Sequence, residues 1–116
     1  MKVIIAGSRD VVSYAAVTAA VELSGFEITE VVSGGARGAD RLGEAYAKNN
    51  DIALKVMPAN WDKFGKSAGY RRNEEMARYA DALIALWDGE SRGTMHMIEI
   101  AKRLNMPIFI FNTKEQ

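Results

Sequence analysis

Apolar and polar positions along this chain alternate between two kinds of block. Residues 3–6 and 82–87 are unbroken apolar runs of strand length, which suits the interior of a parallel sheet covered on both faces. Residues 28–33, 53–57 and 108–111 read as three further strands, and Lys55 within the third suggests a sheet edge. Between the strands, apolar residues recur at helical spacing. Val17, Ala20, Val21 and Ser24 follow a plausible N-cap at Ser13, and Gly25 stops that helix with Phe26 free to pack over its last turn. Ala39, Leu42, Gly43 and Tyr46 form the inner face of a second helix, and Met76, Ala77 and Ala80 that of a third running from Gly69. Gly93-Thr94 opens a fourth, and Pro107 precedes the last strand.

The order β-α-β-α-β-α-β-α-β predicts a parallel five-stranded sheet with helices on both faces. Right-handed crossovers leave few topologies, and 3-2-1-4-5 pairs the two most apolar early strands, the first and the fourth. It also puts the topological switch point between them, and ligands of such sheets sit outside the carboxyl ends of the strands at that crevice. The βα connections are therefore where function is expected.

Composition narrows the field. At 116 residues the chain is read as one domain over 1–116 with one core. Fifteen Lys and Arg balance fifteen Asp and Glu, so a general affinity for nucleic acid or anionic membrane is not indicated. Absence of cysteine removes disulfides, zinc-thiolate sites and cysteine nucleophiles together. No apolar run approaches ~20 residues and no signal-peptide core follows Met1-Lys2, so a cytoplasmic location without membrane contact is expected.

The strand ends carry the candidate chemistry. Arg9, Arg37, Lys63, Lys66, Arg71, Arg72 and Arg92 sit in or just after βα connections, with Asp10, Asp40, Asp62, Asp88 and Glu90 on the same rim. Helix N-termini after Gly38 and Gly93 add partial positive charge there. The pattern suits a small anion such as phosphate; the alternative is solvated arginines paired with those acids. Helix phase turns Arg72 and Asn73 inward and leaves Arg71 outward with Glu74 and Glu75. A purely structural reading has Asn73 bonding loop carbonyls and Arg72 pairing with Asp88.

The Ser33–Asp40 loop permits close backbone approach at Gly34, Gly35 and Gly38, yet fails as a dinucleotide fingerprint because its first glycine position is Ser33. Gly65-Lys66-Ser67 fails as a P-loop because the earlier glycine position is Asn60. The segment from 58 to 68 reads as a long loop. Its Trp61 and Phe64 can stack on a base or anchor the loop, with anchoring favoured for Phe64. His96, the single histidine, is placed on an exposed helix face with Arg92, Glu99 and Arg103. Asp88 and Glu90 are the loop carboxylates to test as acid or base. Magnesium bridging them to a phosphate is possible in principle, but no metal or other cofactor is required.

GSRD after the first strand, SGGARGAD after the second, the W…GK.AG..RN..MA segment, ADALIALWDGESRGT and the closing MPIFIF strand together resemble the SLOG superfamily, especially its small stand-alone YspA/YpsA-related branch. That superfamily includes the Smf/DprA DNA-processing proteins and the LOG hydrolases. The resemblance implies a Rossmann-like three-layer α/β/α domain. LOG hydrolases cleave the N-glycosidic bond of nucleoside monophosphates, and their R-K-x-x-M-A is similar to Arg72-Asn73-Glu74-Glu75-Met76-Ala77. Their P-G-G-x-G-T-x-x-E looks like Trp87-Asp88-Gly89, an insertion, then Gly93-Thr94, so the catalytic glutamate falls on Met97. The nucleoside deoxyribosyltransferases share the A-D-x-x-I-A-x-x-D-G stretch and also place a glutamate beyond it.

The leading expectation is a phosphorylated nucleotide or nucleotide-derived ligand bound at the C-terminal edge of the sheet, in the role of a sensor. Ligand contacts are expected from Gly7, Ser8, Arg9, Ser33, Gly34, Gly35, Arg37, Asp40, Arg72, Asn73, Asp88, Gly89, Ser91, Gly93 and Thr94. The alternative is a LOG-like hydrolase or transferase, with Arg72, Asp88 and Glu90 as catalytic candidates; whether any reaction occurs is left open by Met97. DNA handling in the manner of the Smf/DprA relatives is disfavoured by the zero net charge, and a homodimer is a further expectation from the apolar final strand at a sheet edge.

Overall fold

A computed structural model describes residues 1–115; Gln116, the end of the polar tail, lies outside them. The chain forms β1 (Lys2–Gly7), α1 (Tyr14–Ser24), β2 (Glu30–Ser33), α2 (Ala39–Asn49) and β3 (Ala53–Val56). It continues through α3 (Trp61–Phe64), a 3-10 turn (Gly65–Ser67), α4 (Ala68–Tyr79), β4 (Ala82–Trp87), α5 (Arg92–Arg103) and β5 (Ile108–Asn112). All strand pairs are parallel, in the order β3-β2-β1-β4-β5. The fold is the Rossmann-like α/β/α sandwich that the block pattern implies, with exposed Lys55 on an edge strand.

The two-residue period of the strands divides the core. Val3 and Ile5 of β1 face Val17, Ala20 and Val21 of α1 and Ala39 and Ala47 of α2. Ile4 and Ala6 face the other way, onto Met76 and Ala77 of α4 and Met97, Ile100 and Ala101 of α5. Leu83 and Ile84 of β4 are fully buried on opposite faces. Each such side chain contributes roughly 1.5–3 kcal/mol of hydrophobic free energy on leaving water, and β1 and β4 supply most of this because both their faces are covered.

Local signals set the helix ends. Ser13 Oγ accepts from Ala16 N at 3.1 Å, and Gly25, left-handed at φ 71°, returns its N–H to Glu22 O. Both features follow the sequence expectation. β2 starts later than expected, because Thr29 N instead donates to Met1 O at 2.9 Å before the ladder begins. The span 58–68 is not a loop. Asn60 Oδ1 caps Lys63 N at 3.1 Å to start α3, and the 3-10 turn leads directly into α4. α3 spans a single turn, too short to show a helical period in the sequence. No helix among the described residues is long and apolar enough to cross a membrane.

Candidate functional site

β1 sends its chain toward β2, and β4 sends its chain toward β5, so the connections part at their carboxyl ends. There they leave an open crevice of about 700 Å³. Its walls are Gly7 to Asp10 at the end of β1 and just beyond, Ala36, Arg37 and Asp40 around the start of α2, and Asp88, Ser91, Gly93 and Thr94 after β4. Trp61 and Lys66 from the α3 segment, with Gly69, Tyr70, Arg72 and Asn73 of α4, close the remaining side. Ala6, Met76 and Met97 complete the lining.

Arg72 is the hub of this crevice. Its Nη1 donates to Gly34 O at 2.6 Å and its Nε donates to Asn73 Oδ1 at 3.1 Å. Asn73 is itself buried, and its Nδ2 donates to Gly93 O at 3.3 Å. One guanidinium thus ties the β2–α2 loop to α4 and, through Asn73, to the first turn of α5. Burial lowers the Arg72 pKa below its ordinary value, while the charge of Asp40 opposes the shift. A Cβ at Gly34 would lie 2.5 Å from Arg72 Nη1, so any side chain there has to displace the guanidinium from this contact.

Asp40 is only 5% exposed. Burial raises its pKa to about 6, against the Ala36 N–H, which donates to its Oδ2 at 3.2 Å, and against the Arg72 charge. The neighbouring Glu44 adds to the upward shift. Glu44 is held by Ser33 Oγ at 2.7 Å, and the same hydroxyl accepts from Gly35 N at 3.1 Å. Gly38 begins α2 at φ 79°, and a Cβ there would lie 2.5 Å from the backbone of Arg9 and Ser8. Close approach of α2 to the β1–α1 loop depends on that glycine, which favours positive φ.

Across the crevice Asp88 Oδ1 accepts from both Glu90 N and Ser91 N at 2.8 Å. Those two bonds hold its pKa below the usual carboxylate value. The turn explains why α5 starts at Arg92, one residue before the expected glycine. Ser8 Oγ is buried without a hydrogen-bond partner among the described residues. It lies near enough to Asp88 to favour the charged carboxylate, though outside hydrogen-bond geometry.

Eleven of the expected contact residues line the crevice: Gly7, Ser8, Arg9, Arg37, Asp40, Arg72, Asn73, Asp88, Ser91, Gly93 and Thr94. Ser33, Gly34 and Gly35 lie behind it, with the Ser33 hydroxyl engaged internally and Gly34 covered by Arg72. Gly89 and Glu90 lie outside the lining, and Glu90 pairs with Lys114 at 2.9 Å. Arg72 does not pair with Asp88, as a purely structural role would have it; it is engaged by Gly34, Asn73 and Asp40 instead. His96 is half-buried rather than exposed, its ring 4.3 Å from that of Tyr70 and its Nδ1 3.1 Å from Asn73 Nδ2. Helical phase missed this because it places a residue on its own helix without showing that α4 packs alongside α5.

The rim also departs from the expected charge pairing. Among the described residues the ion pairs are Arg103–Glu74 and Lys114–Glu90, so Arg9, Arg37 and Lys66 are in neither. Trp61 and Tyr70 stand beside them, 53% and 48% exposed. Tyr70 carried no signal in the sequence, since one tyrosine outside an apolar stripe reads as surface. Among the described residues no three His, Asp or Glu side chains group as metal ligands would.

The fold and crevice define a Rossmann-like domain whose switch point carries cations and exposed aromatic rings. A profile of the YspA, cpYpsA-related SLOG family matches residues 1–64, more than half of the chain, and the chain belongs to that family. It is 37% identical over 90 residues to the Gene 61 protein of Mycobacterium phage D29, covering 72% of each chain. Its structure is similar to DNA processing protein A from Helicobacter pylori, described for its single-stranded DNA binding mode, at TM-score 0.64 and 25% identity. That match covers 95% of this chain and 64% of the Helicobacter protein, so the chain spans less than two thirds of that relative.

This comparison corrects two expectations. A small phosphorylated nucleotide as ligand, with N-glycosidic hydrolysis as its alternative, is displaced by a structural relative that binds single-stranded DNA. The second expectation, that nucleic acid is an unlikely partner, is overturned by the same relative. Net charge is a weak ground for excluding nucleic acid, because it sums over the whole surface whereas a strand of nucleic acid meets one groove.

Proposed function

We propose that the crevice binds single-stranded nucleic acid, with DNA as the first substrate to test. Arg9, Arg37 and Lys66 take backbone phosphates, Arg72 lies deeper as a fixed counter-charge, and Trp61 and Tyr70 offer faces on which bases stack. The observation that carries this reading is the juxtaposition of unpaired cations with two half-exposed aromatic rings along one open groove. A groove of that make-up binds single strands with little sequence preference, because phosphates supply attraction and every base has a stackable face. Base-edge readout is not part of the proposal. The solved relative supports the choice of single-stranded DNA over duplex.

The test is fluorescence anisotropy with a labelled oligodeoxythymidine against the same length of duplex, across a salt series. Preference for the single strand is expected, with a logarithmic salt slope of about −2, since about three phosphates contribute ~0.7 each. Absence of binding to the oligonucleotide at low salt, or retention of duplex equal to or stronger than that of the single strand, would sink the reading.

A further inference from the structure

His96 lies outside the crevice lining, yet it is connected to the crevice's deepest cation by two hydrogen bonds of fixed direction. Arg72 Nε can only donate, so Asn73 Oδ1 accepts from it at 3.1 Å. Gly93 O can only accept, so Asn73 Nδ2 donates to it at 3.3 Å. The same amide nitrogen lies 3.1 Å from His96 Nδ1, and its second hydrogen is the one available to that contact, since an amide nitrogen does not accept. His96 Nδ1 must therefore accept, which fixes a neutral imidazole carrying its proton on Nε2. We infer that His96 is a positioning residue for Arg72, acting through Asn73, and that protonation of His96 breaks the Arg72–Asn73 bond, leaving Gly34 O, among the described residues, as the one hydrogen-bond acceptor that still holds the guanidinium. The part of this inference that concerns ligand binding rests on the proposed nucleic-acid function; the hydrogen-bond relay itself does not.

Direction of the bonds leaves no escape within the relay. A proton on Nδ1 sets two donors against each other across the His96–Asn73 contact. Turning the Asn73 amide over relieves that contact but sets its NH2 against the Arg72 Nε–H and its carbonyl against Gly93 O. While the ring stays packed on Tyr70, its doubly protonated form and the Arg72–Asn73 bond therefore exclude each other. The ring faces Tyr70 and Glu74 of α4, and Glu99 and Arg103 of its own helix. Burial is the main influence on it and lowers its pKa from the ordinary histidine value; Glu74 and Glu99 pull upward, and Arg103 pushes down with the burial. Neutral His96 is thus the resting form at pH 7, and acid is the perturbation.

As the single histidine of the chain, His96 can be followed without ambiguity. The experiment is a titration of the ¹⁵N-labelled protein from about pH 8 to about pH 5, reading the imidazole nitrogens, the Asn73 side-chain amide and Arg72 Nε–H by NMR. The Nε2–H tautomer is expected at the alkaline end, with the Asn73 amide shifting at the midpoint of His96. In His96→Gln, whose side-chain carbonyl can accept from Asn73 at every pH, that transition disappears while any arising from Asp40 remains. The ratio of wild-type to His96→Gln affinity for oligodeoxythymidine should drop about three- to tenfold on acidification, the effect of losing one hydrogen bond on a cationic contact; protonation of Asp40, common to both proteins, cancels in that ratio. A proton on Nδ1 in the neutral ring, or an Asn73 amide indifferent to His96, overturns the inference. An intact spectroscopic coupling with no oligonucleotide binding by either protein overturns only the function assigned to the crevice.

Discussion

Arg72 on α4 donates from Nη1 to the carbonyl oxygen of Gly34, 38 residues away, at 2.6 Å. The bond fixes a cation where the β2–α2 loop meets the crevice and closes the loop over buried Asp40. Replacing Arg72 with Ala removes a charged hydrogen bond and leaves Asp40 without its nearest counter-charge. The variant should lose about 1–3 kcal/mol of stability, and its Asp40 should titrate higher still. Oligonucleotide affinity should fall about tenfold with a shallower salt slope, as expected for loss of one charge-assisted contact. Arg72→Lys should restore only part of this, because an ammonium cannot reach Gly34 and Asn73 together with planar geometry. Urea denaturation and anisotropy measure the two effects separately.

Gly34 tests the same contact from the other side. A methyl group there must displace the guanidinium from 2.5 Å, although the backbone of Gly34 is not in the left-handed region. Gly34→Ala is therefore expected to cost about 1–3 kcal/mol, as other overpacked sites do, and to weaken oligonucleotide binding by moving Arg72. Stability unchanged in thermal melts would show that the loop yields freely and that Arg72 is not held as described.

Legibility of this molecule in its sequence follows the range of the forces involved. Alternation of apolar strands with periodic helices is a local signal, and the right-handed crossover rule turns it into a sheet order in which β1 and β4 lie side by side. Ser13 and Gly25 were equally readable because capping acts within a few residues. What could not be read were contacts between elements distant in sequence: His96 under Tyr70, Arg72 on Gly34, and Trp61 and Tyr70 on one rim. α3 was missed for a different reason, since a single capped turn leaves no period to detect.

Trp61 and Tyr70 separate binding from folding. Both rings are about half exposed, so Trp61→Ala and Tyr70→Ala should change stability by less than about 1 kcal/mol. Each should nevertheless cost about 1–3 kcal/mol in affinity for a single strand, the usual worth of a base stacked on an aromatic side chain. Trp61 fluorescence should be quenched on titration with oligodeoxythymidine, and the quench should vanish in Trp61→Phe if the remaining tryptophan, half-buried Trp87, stays out of contact. Full affinity in the double variant would remove the aromatic half of the proposal.

Asp40 imposes a pH dependence whose sign is fixed by burial. Its pKa rises from 3.8 unfolded to about 6 folded, so between those values the native state holds a proton that the unfolded state lacks. Stability from this site therefore increases as pH falls through about 6 and levels off below the unfolded value. A shift of about two units corresponds to about 3 kcal/mol across the window, superimposed on the opposite tendency of Asp88, whose folded pKa is lowered and whose contribution is lost in acid. Asp40→Asn keeps an acceptor for the Ala36 N–H and deletes the titration, so its denaturation midpoint should lack the rise that the wild type shows on going from pH 7 to pH 5. The same substitution leaves Arg72 without a neutralising carboxylate, and single-strand affinity at pH 7 should increase about three- to tenfold. An Asp40→Asn protein with the wild-type slope of stability against pH would mean that the carboxylate is better solvated than its 5% exposure implies, and the electrostatic account of the crevice would fall with it.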